Sequence, residues 1–429
     1  MNVADSQRVA SALERLGYQE TRQVDEADVI VLNTCVVRQS AEDKAYGRLQ
    51  SLKPLKEAKP SLVINLMGCM VGTRTPESLK KRLPMVDVFS PPSDPSPLIA
   101  YLTQQESQQM ELSETARRFA WMDGELMLPE KTRGKIVSAF IPIVYGCSHA
   151  CAYCIIPYRR GGEQSRPPQD ILAEARTLAA QGVKEITLLG QIVDRYGKDK
   201  PDFPKLTGLL EMLHEVEGIE RIRFLTSHPN WLTDELIETV ARLPKVMPHI
   251  EVPAQSGDDE ILASMRRGYT DQQYRALIRR IRERIPGVSI ATDIIVGFPG
   301  ETDSQFENTY RQLADLKLDV AHLARYSPRI GTLSERKMVD DVPDKEKWRR
   351  FRMLEVLQES IATEIHAKYL GATVDVLFED KTKQRWRGRT PTNKLVFVES
   401  ELDLRGKILP VKINWTGPWS MIGEISQVL

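Results

Sequence analysis

The stretch YGCSHACAYC, residues 145–154, places three cysteines at spacings of four and three positions and supplies no fourth. The loop follows AFIPIVYG, residues 139–146, an apolar run that reads as a strand and opens a new rhythm in the chain. Strand-like runs VKEITLLGQ, IERIRFLTS, VMPHIEVPAQS, VSIATDIIVGFP and VAHLARYS follow. Helical stretches alternate with them over 168–180, 271–285 and 302–316. About six βα units result, fewer than the eight of a closed barrel, so the spacing predicts a partial TIM-type barrel over 135–342 with its chemistry at the strand C-termini.

Upstream, ADVIVLNTC and LVINLMGC read as buried strands ending at Cys35 and Cys69, and VDVFS as a third. Helices over 6–16, 41–52 and 76–82 complete an α/β, Rossmann-like sheet domain over 1–105. Ligands of open α/β sheets lie at the carboxyl ends of strands, where both cysteines fall, although a small buried residue at each strand end would read the same. A polar passage over 106–134 reads as a linker. A charged helix over 343–368 leads to short strands over 369–429, with glycine turns expected at Gly388, Gly406, Gly417 and Gly423, which suggests a small β-barrel.

Composition narrows the classes. The 429 residues call for two or three domains, and Lys plus Arg, 59, equals Asp plus Glu, 59, so any basic surface is local. The N-terminus carries no signal-peptide pattern and no apolar run reaches membrane-spanning length, so a cytoplasmic protein with no membrane partner is expected. Of five cysteines, three crowd into residues 147–154, which favours metal ligation over disulfides.

Three thiolates leave one iron of a cubane cluster without a protein ligand, as a site that must bind substrate requires. Zinc fits poorly, because His149 is followed by no second Cys or His pair at finger spacing. Here the sequence resembles the radical S-adenosylmethionine (SAM) superfamily, whose hallmark is this CxxxCxxC loop. The resemblance implies a 4Fe-4S cluster on Cys147, Cys151 and Cys154, with SAM chelating the open iron and yielding a 5′-deoxyadenosyl radical. Tyr153 is then expected near the adenine of SAM. RGGEQSRP, residues 160–167, offers glycines for a close backbone approach, as a plain strand-to-helix turn also would.

The order of NTCVVRQSAEDKAYGRL, MGCM, CAYCIIPYRRGGEQSRP, TSHP, QSGDDEILASMRRGYT, TDIIVGFPGET and YSPRIGT resembles the methylthiotransferases across almost the whole chain. That family has an N-terminal domain with a second iron–sulfur cluster, a radical SAM barrel and a C-terminal TRAM domain. NTCVVR with AEDK is most similar to the branch that methylthiolates N6-isopentenyladenosine (dimethylallyladenosine) in tRNA, at adenine carbon 2, beside the anticodon. Branches acting on threonylcarbamoyladenosine in tRNA, or on an aspartate of a ribosomal protein, stay as alternatives. So does a non-catalytic iron–sulfur RNA-binding protein.

The resemblance implies a tRNA anticodon stem-loop as partner, a flavodoxin- or ferredoxin-like reductant, a sulfur donor and a monomer. Cys35 and Cys69 would hold the auxiliary cluster. The family's first auxiliary cysteine lies in a GCQMN motif; this chain opens at Met1 and Asn2, so an upstream strand and cysteine are expected, the rival reading being a cluster lost or held by another ligand. Candidate SAM or substrate contacts are Gly190, Gln191, Ser227, His228, Gln255, Ser256 and Asp293, each also plausible as a capping or turn residue. Glu251 stands where the family more often has histidine, and GQIVDRYG departs from its usual asparagines. KTKQRWRGRTPTNK, residues 381–394, holds Lys381, Lys383, Arg385, Arg387 and Arg389 around Trp386, which suits phosphates beside an unpaired base; a solvated barrel turn is the alternative.

Overall fold

The computed structural model describes residues 1–37, 39–75, 77–103 and 126–426. The first part of the expected linker, 106–125, lies outside the described residues, as do Arg38 and Pro76. The rest of that passage is no free linker, because Leu126 and Leu128 are buried in the barrel core and the Leu128 amide donates to Gln181 Oε1 at 2.7 Å.

Helix α1 (Asn2–Arg15) precedes strand β1 (Val29–Thr34); α2 (Gln39–Ser51) and α3 (Lys53–Ala58) lead to β2 (Val63–Gly68). After α4 (Glu77–Arg82) come β3 (Val88–Ser90) and α5 (Ser96–Thr103). The strands pair in parallel in the order β1-β2-β3, and the two-sided burial of such a sheet explains the unbroken apolar runs in its sequence.

Strand β4 (Ser138–Pro142) opens the second unit, and a break at Ile143 separates it from β5 (Val144–Tyr145), so the run expected as one strand is two. After α6 (Ile156–Arg160), β6 (Gln164–Ser165) returns antiparallel on β5. Then follow α7 (Pro168–Ala180), β7 (Glu185–Leu189), α8 (Leu206–His214), β8 (Arg221–Phe224), α9 (Asp234–Arg242) and β9 (His249–Glu251). Helices α10 (Asp259–Ser264) and α11 (Asp271–Arg284), β10 (Ser289–Val296), α12 (Asp303–Leu316), β11 (Val320–Arg325) and α13 (Leu333–Lys337) complete it. Thr270 and Thr302 each form a capping box with the glutamine three residues on, which fixes where α11 and α12 begin.

The parallel sheets β4-β7-β8 and β9-β10-β11 are joined by a parallel bridge from Ile222 to Val246 and by the Ser227 amide donating to Glu251 O at 3.0 Å. The result is the expected open, six-stranded partial barrel among the described residues, its core cluster reaching from Leu126 to Leu354. Helix α14 (Asp344–Ala367) packs along β11. No described helix is long and apolar enough to cross a membrane.

Strands β12 (Thr373–Thr382), β13 (Arg385–Arg389), β14 (Leu395–Glu399), β15 (Ile408–Thr416) and β16 (Met421–Ile425) close a barrel in the order β12-β13-β14-β16-β15. Gly388 and Gly423 are not turns, as expected from sequence, but lie inside β13 and β16. A Cβ at Gly388 would fall 2.6 Å from Leu377 O, and one at Gly423 2.4 Å from Lys412 O. A five-stranded wall curves so tightly that backbone takes the place of a side chain.

Candidate active site

The cysteine loop is shaped by glycine. Gly146 has φ +64, and a Cβ there would lie 2.0 Å from Gly162 O; the Cys147 amide donates to Gly161 O at 3.1 Å. The RGGE segment therefore passes directly beneath the loop, as the two adjacent glycines permit. The Ala152 amide donates to Met265 O at 3.0 Å and its carbonyl accepts from the Ser334 amide at 2.8 Å, fixing the loop at the barrel mouth.

The three thiols differ. Burial pushes Cys147 up and Cys154 up to about 12. Burial also opposes ionisation of Cys151, but the His149 ring at 3.2 Å and the Arg267 guanidinium at 3.3 Å bring it down to about 7. Among the described residues no three His, Cys, Asp or Glu side chains converge as ligands of one metal ion. Cubane ligands need not converge, since each thiolate takes its own iron; three thiols on one fixed loop, beside a cation that offsets thiolate charge, fit that group.

Next to Cys154 a cavity of about 560 Å³ opens at the strand ends. Tyr153, Gln255 and Asp293 line it, so these three candidates are brought together with Cys154. Gln255 holds φ +71, fixed by its amide donating to Asp293 O at 2.8 Å and its carbonyl accepting from the Ile295 amide at 3.0 Å. Such backbone strain in a non-glycine residue is concentrated at functional sites. Parallel register pairs Asp293 with His322 and Ala291 with Glu251, placing Glu251, Asp293 and His322 on one face. Burial, then the neighbouring Asp293 charge, raises the Glu251 carboxyl to about 7.

Gly190, Gln191 and Ser227 do not line this cavity. A Cβ on Gly190 would come within 3.1 Å of Val193 Cα, which gives that glycine a packing reason. The His228 amide donates to Asp194 at 2.9 Å, and burial raises that carboxyl to about 7. The His228 ring lies 4.6 Å from the His149 ring, and burial with the nearby Arg267 holds it down to about 2. Ser256 is structural, its Oγ 3.3 Å from Thr309 Oγ1. Sequence reading missed Arg267, and missed Arg195, which pairs with Glu163 at 2.5 Å and lies 4.5 Å over the Trp231 ring. Only their place inside quoted motifs signalled them.

In the N-terminal sheet, register pairs Thr34 with Gly68, so Cys35 and Cys69 leave adjacent parallel strands side by side. Cys35 is exposed and Cys69 buried. Burial raises the Cys69 thiol against the pull of Arg160, whose Nε donates to Cys69 Sγ at 3.1 Å. Arg160 closes α6, which begins two residues after Cys154.

The basic segment of the small barrel needs correcting. Trp386, expected to stack on a base, is 4% exposed in the barrel core, where its alternate-residue position on β13 turns it inward. Arg385 pairs with Glu399 at 2.8 Å, Arg387 with Asp380 at 2.8 Å, and Arg389 lies 3.7 Å from Glu379. Cross-strand carboxylates thus neutralise much of what looks purely basic along the chain. Lys381 and Lys383 remain exposed.

Comparison with known proteins gives three family matches: the radical SAM superfamily over residues 141–313, the uncharacterized protein family UPF0004 over 1–90, and the TRAM domain over 367–425. A protein of Herpetosiphon aurantiacus named tRNA-2-methylthio-N(6)-dimethylallyladenosine synthase is 47% identical over 99% of this chain and 95% of its own length. Its namesake in Roseiflexus sp. is 46% identical over 100% of this chain and 88% of the relative, and one in Dehalococcoides mccartyi 43% over 100% and 97%. Among solved structures, the radical SAM methyltransferase TsrM of Kitasatospora setae, with cobalamin and a 4Fe-4S cluster bound, aligns with TM-score 0.56 at 14% identity, over 77% of this chain and 73% of that one.

Proposed function

Because the chain belongs to the radical SAM family of tRNA-2-methylthio-N(6)-dimethylallyladenosine synthases, we propose that it methylthiolates carbon 2 of N6-isopentenyladenosine, next to the anticodon in tRNA, and that its residues divide that work as follows. Cys147, Cys151 and Cys154 hold a 4Fe-4S cluster, and Cys35 and Cys69 contribute to a second. Such a cluster with bound SAM supplies the electron and the 5′-deoxyadenosyl radical needed to take hydrogen from an unreactive aromatic carbon.

The chain itself binds, orients and excludes water. Tyr153, Gln255 and Asp293 form the wall of the cavity beside Cys154, where SAM or the target base is positioned. Arg267, touching Cys151, keeps thiolate character at that ligand. Val37, Gln39 and Ser40, from the loop after β1 and the start of α2, line the cavity together with Cys154 and the barrel strand ends. The TRAM barrel supplies RNA contacts through Lys381, Lys383, Arg385, Arg387 and Arg389, while Trp386 serves its core. An external reductant and a sulfur donor complete the reaction.

The observation that carries this reading is the joint lining of one cavity by the cysteine loop, the barrel strand ends and the loop after β1. Anaerobic reconstitution followed by assay tests it. Release of 5′-deoxyadenosine together with 2-methylthio-N6-isopentenyladenosine in digested tRNA is expected. Release of 5′-deoxyadenosine with a methylthiolated ribosomal peptide, and no modified nucleoside, would transfer the reading to the protein-modifying branch. No 5′-deoxyadenosine at all would favour a non-catalytic RNA-binding protein.

A further inference from the structure

We propose that the first turns of α14, beside the cavity mouth, are the platform on which the RNA loop docks, with the Trp348 indole stacking on a base that neighbours the one being modified. The inference rests on the reading that the substrate is RNA.

The geometry of the small barrel raises the need. It is fixed to the N-terminal ends of the partial barrel's strands, where Arg221 Nη1 donates to Arg389 O at 2.7 Å and Lys394 Nζ donates to Ser289 Oγ at 3.2 Å, at the first residue of β10. The cavity lies toward the opposite ends of those strands, lined on β10 by Asp293 to Ile295, about 13–20 Å along the strand from Ser289. A contact on the small barrel cannot by itself aim a base into the cavity. Helix α14 spans that gap: its 24 residues are about 36 Å long, with Trp348 near the cavity end and His366, hydrogen-bonded to Gly417 O at 2.6 Å, at the small-barrel end.

Trp348 has the form of a stacking residue. It is 41% exposed although on a well-packed helix. The Arg325 guanidinium stacks 3.8 Å from its ring centroid, Arg352 lies 5.6 Å away, and Phe351 meets it edge-on at 5.7 Å, so the ring is held in place by its neighbours while part of it stays exposed. The same indole lines both the 560 Å³ cavity and an open groove of about 1070 Å³ along α14.

Charge supports an anionic occupant. In the groove, Asp344 is taken by Arg325 at 2.5 Å, and Glu346 by Arg349 at 2.6 Å and Arg350 at 2.8 Å. Among the described residues, Lys345 and Arg352 have no carboxylate partner. Further along the helix the exposed positions Glu355, Glu359 and Glu364 are acidic, so the cationic, aromatic character is confined to the end at the cavity. Cations beside an exposed indole are what an unpaired RNA loop requires, through phosphate neutralisation and base stacking.

The test is equilibrium binding of a synthetic stem-loop RNA carrying N6-isopentenyladenosine, followed by fluorescence anisotropy across a salt series. Trp348→Ala should weaken binding roughly tenfold, within the range of a lost stacked base, and Trp348→Phe should recover most of it. Arg352→Gln should lower the slope of log affinity against log salt by about one. If the wild-type chain binds and all three variants bind as it does, with the same salt slope, the docking platform is wrong and the RNA-substrate reading stands. If the wild-type chain does not bind the stem-loop, that reading falls with it. Should Trp348→Ala lose its cooperative melting transition, the exposed Arg352→Gln position alone decides.

Discussion

Arg160 Nε donates to Cys69 Sγ at 3.1 Å, and this contact ties the two cysteine sites of the chain together. Cys69 ends a strand of the first sheet, whereas Arg160 ends the short helix that starts just after Cys154. That helix has only five residues, about 7.5 Å of rise, so Arg160 stays close to the cysteine loop. The same guanidinium reaches Asn2 Oδ1 at 3.0 Å and lies 3.9 Å from the buried Asp5 carboxylate. Arg160→Ala should therefore cost about 3 kcal/mol, because it strands a buried carboxylate. Arg160→Lys should recover little, since one ammonium cannot reproduce a fork that serves Nε and Nη2 at once. Denaturant midpoints of the chain without iron check both; a loss below about 1 kcal/mol for Arg160→Ala would show the contact to be incidental.

Glu251 makes stability depend on pH. Burial and the adjacent Asp293 raise its carboxyl to about 7 in the folded chain, against about 4.3 for an unperturbed glutamate. As pH rises through 4.3 the unfolded chain ionises first, so this group erodes stability up to about pH 7, after which the penalty is constant. The whole effect is at most about 4 kcal/mol. Glu251→Gln should flatten the profile, gaining on the wild type as pH rises from 5 to 8. Parallel profiles for the two proteins, measured by urea midpoints at pH 5, 6, 7 and 8, would remove the carboxyl from consideration.

Glycines within the small barrel are a separate test. Gly388→Ala and Gly423→Ala each force a Cβ against strand backbone that cannot yield, so each should cost about 1–3 kcal/mol. Gly47, in α2, has open space where a Cβ would stand, and Gly47→Ala should instead stabilise by about 0.5–1 kcal/mol through helix propensity. Thermal melting of the three variants reads the contrast in sign.

Much of the fold was legible because its signals are local. Apolar runs marked β1, β2 and all six strands of the partial barrel, and the helical stretches expected over 271–285 and 302–316 match α11 and α12. The spacing of the cysteine loop pointed to a metal centre with an open position, and the resemblance to radical SAM proteins supplied the chemistry. What failed depended on neighbours far away in sequence. Trp386 looked available among its basic neighbours, but strand alternation turns it into the core, and the carboxylates that neutralise those neighbours stand on other strands. Gly388 looked like a turn because the close approach of Leu377 O cannot be seen in a sequence. Trp348, embedded in a charged helix, gave no sign of facing the cavity until β11 brought Arg325 against it.

Arg329 provides the last prediction. It lies in the YSPRIGT loop after β11, is 6% exposed at its side chain, and donates from Nη1 to Gln39 Oε1 at 2.5 Å while Nη2 pairs with Glu42. Gln39 and Arg329 both line the cavity, so this pairing holds α2 of the first sheet against the barrel across the site. Removing it leaves a partly buried Glu42 without its cation and takes away hydrogen bonds made to a charged group, each worth about 1.5–3 kcal/mol. Arg329→Ala should let the interface open locally without unfolding the barrel. Hydrogen exchange in residues 39–51 and 326–332 should then speed up by roughly tenfold or more, while β7 and β10 exchange as before. Unchanged exchange in both segments would mean that the cavity is held closed by apolar packing around Ile155 and Val36, which share one core cluster, and not by the Arg329 contacts.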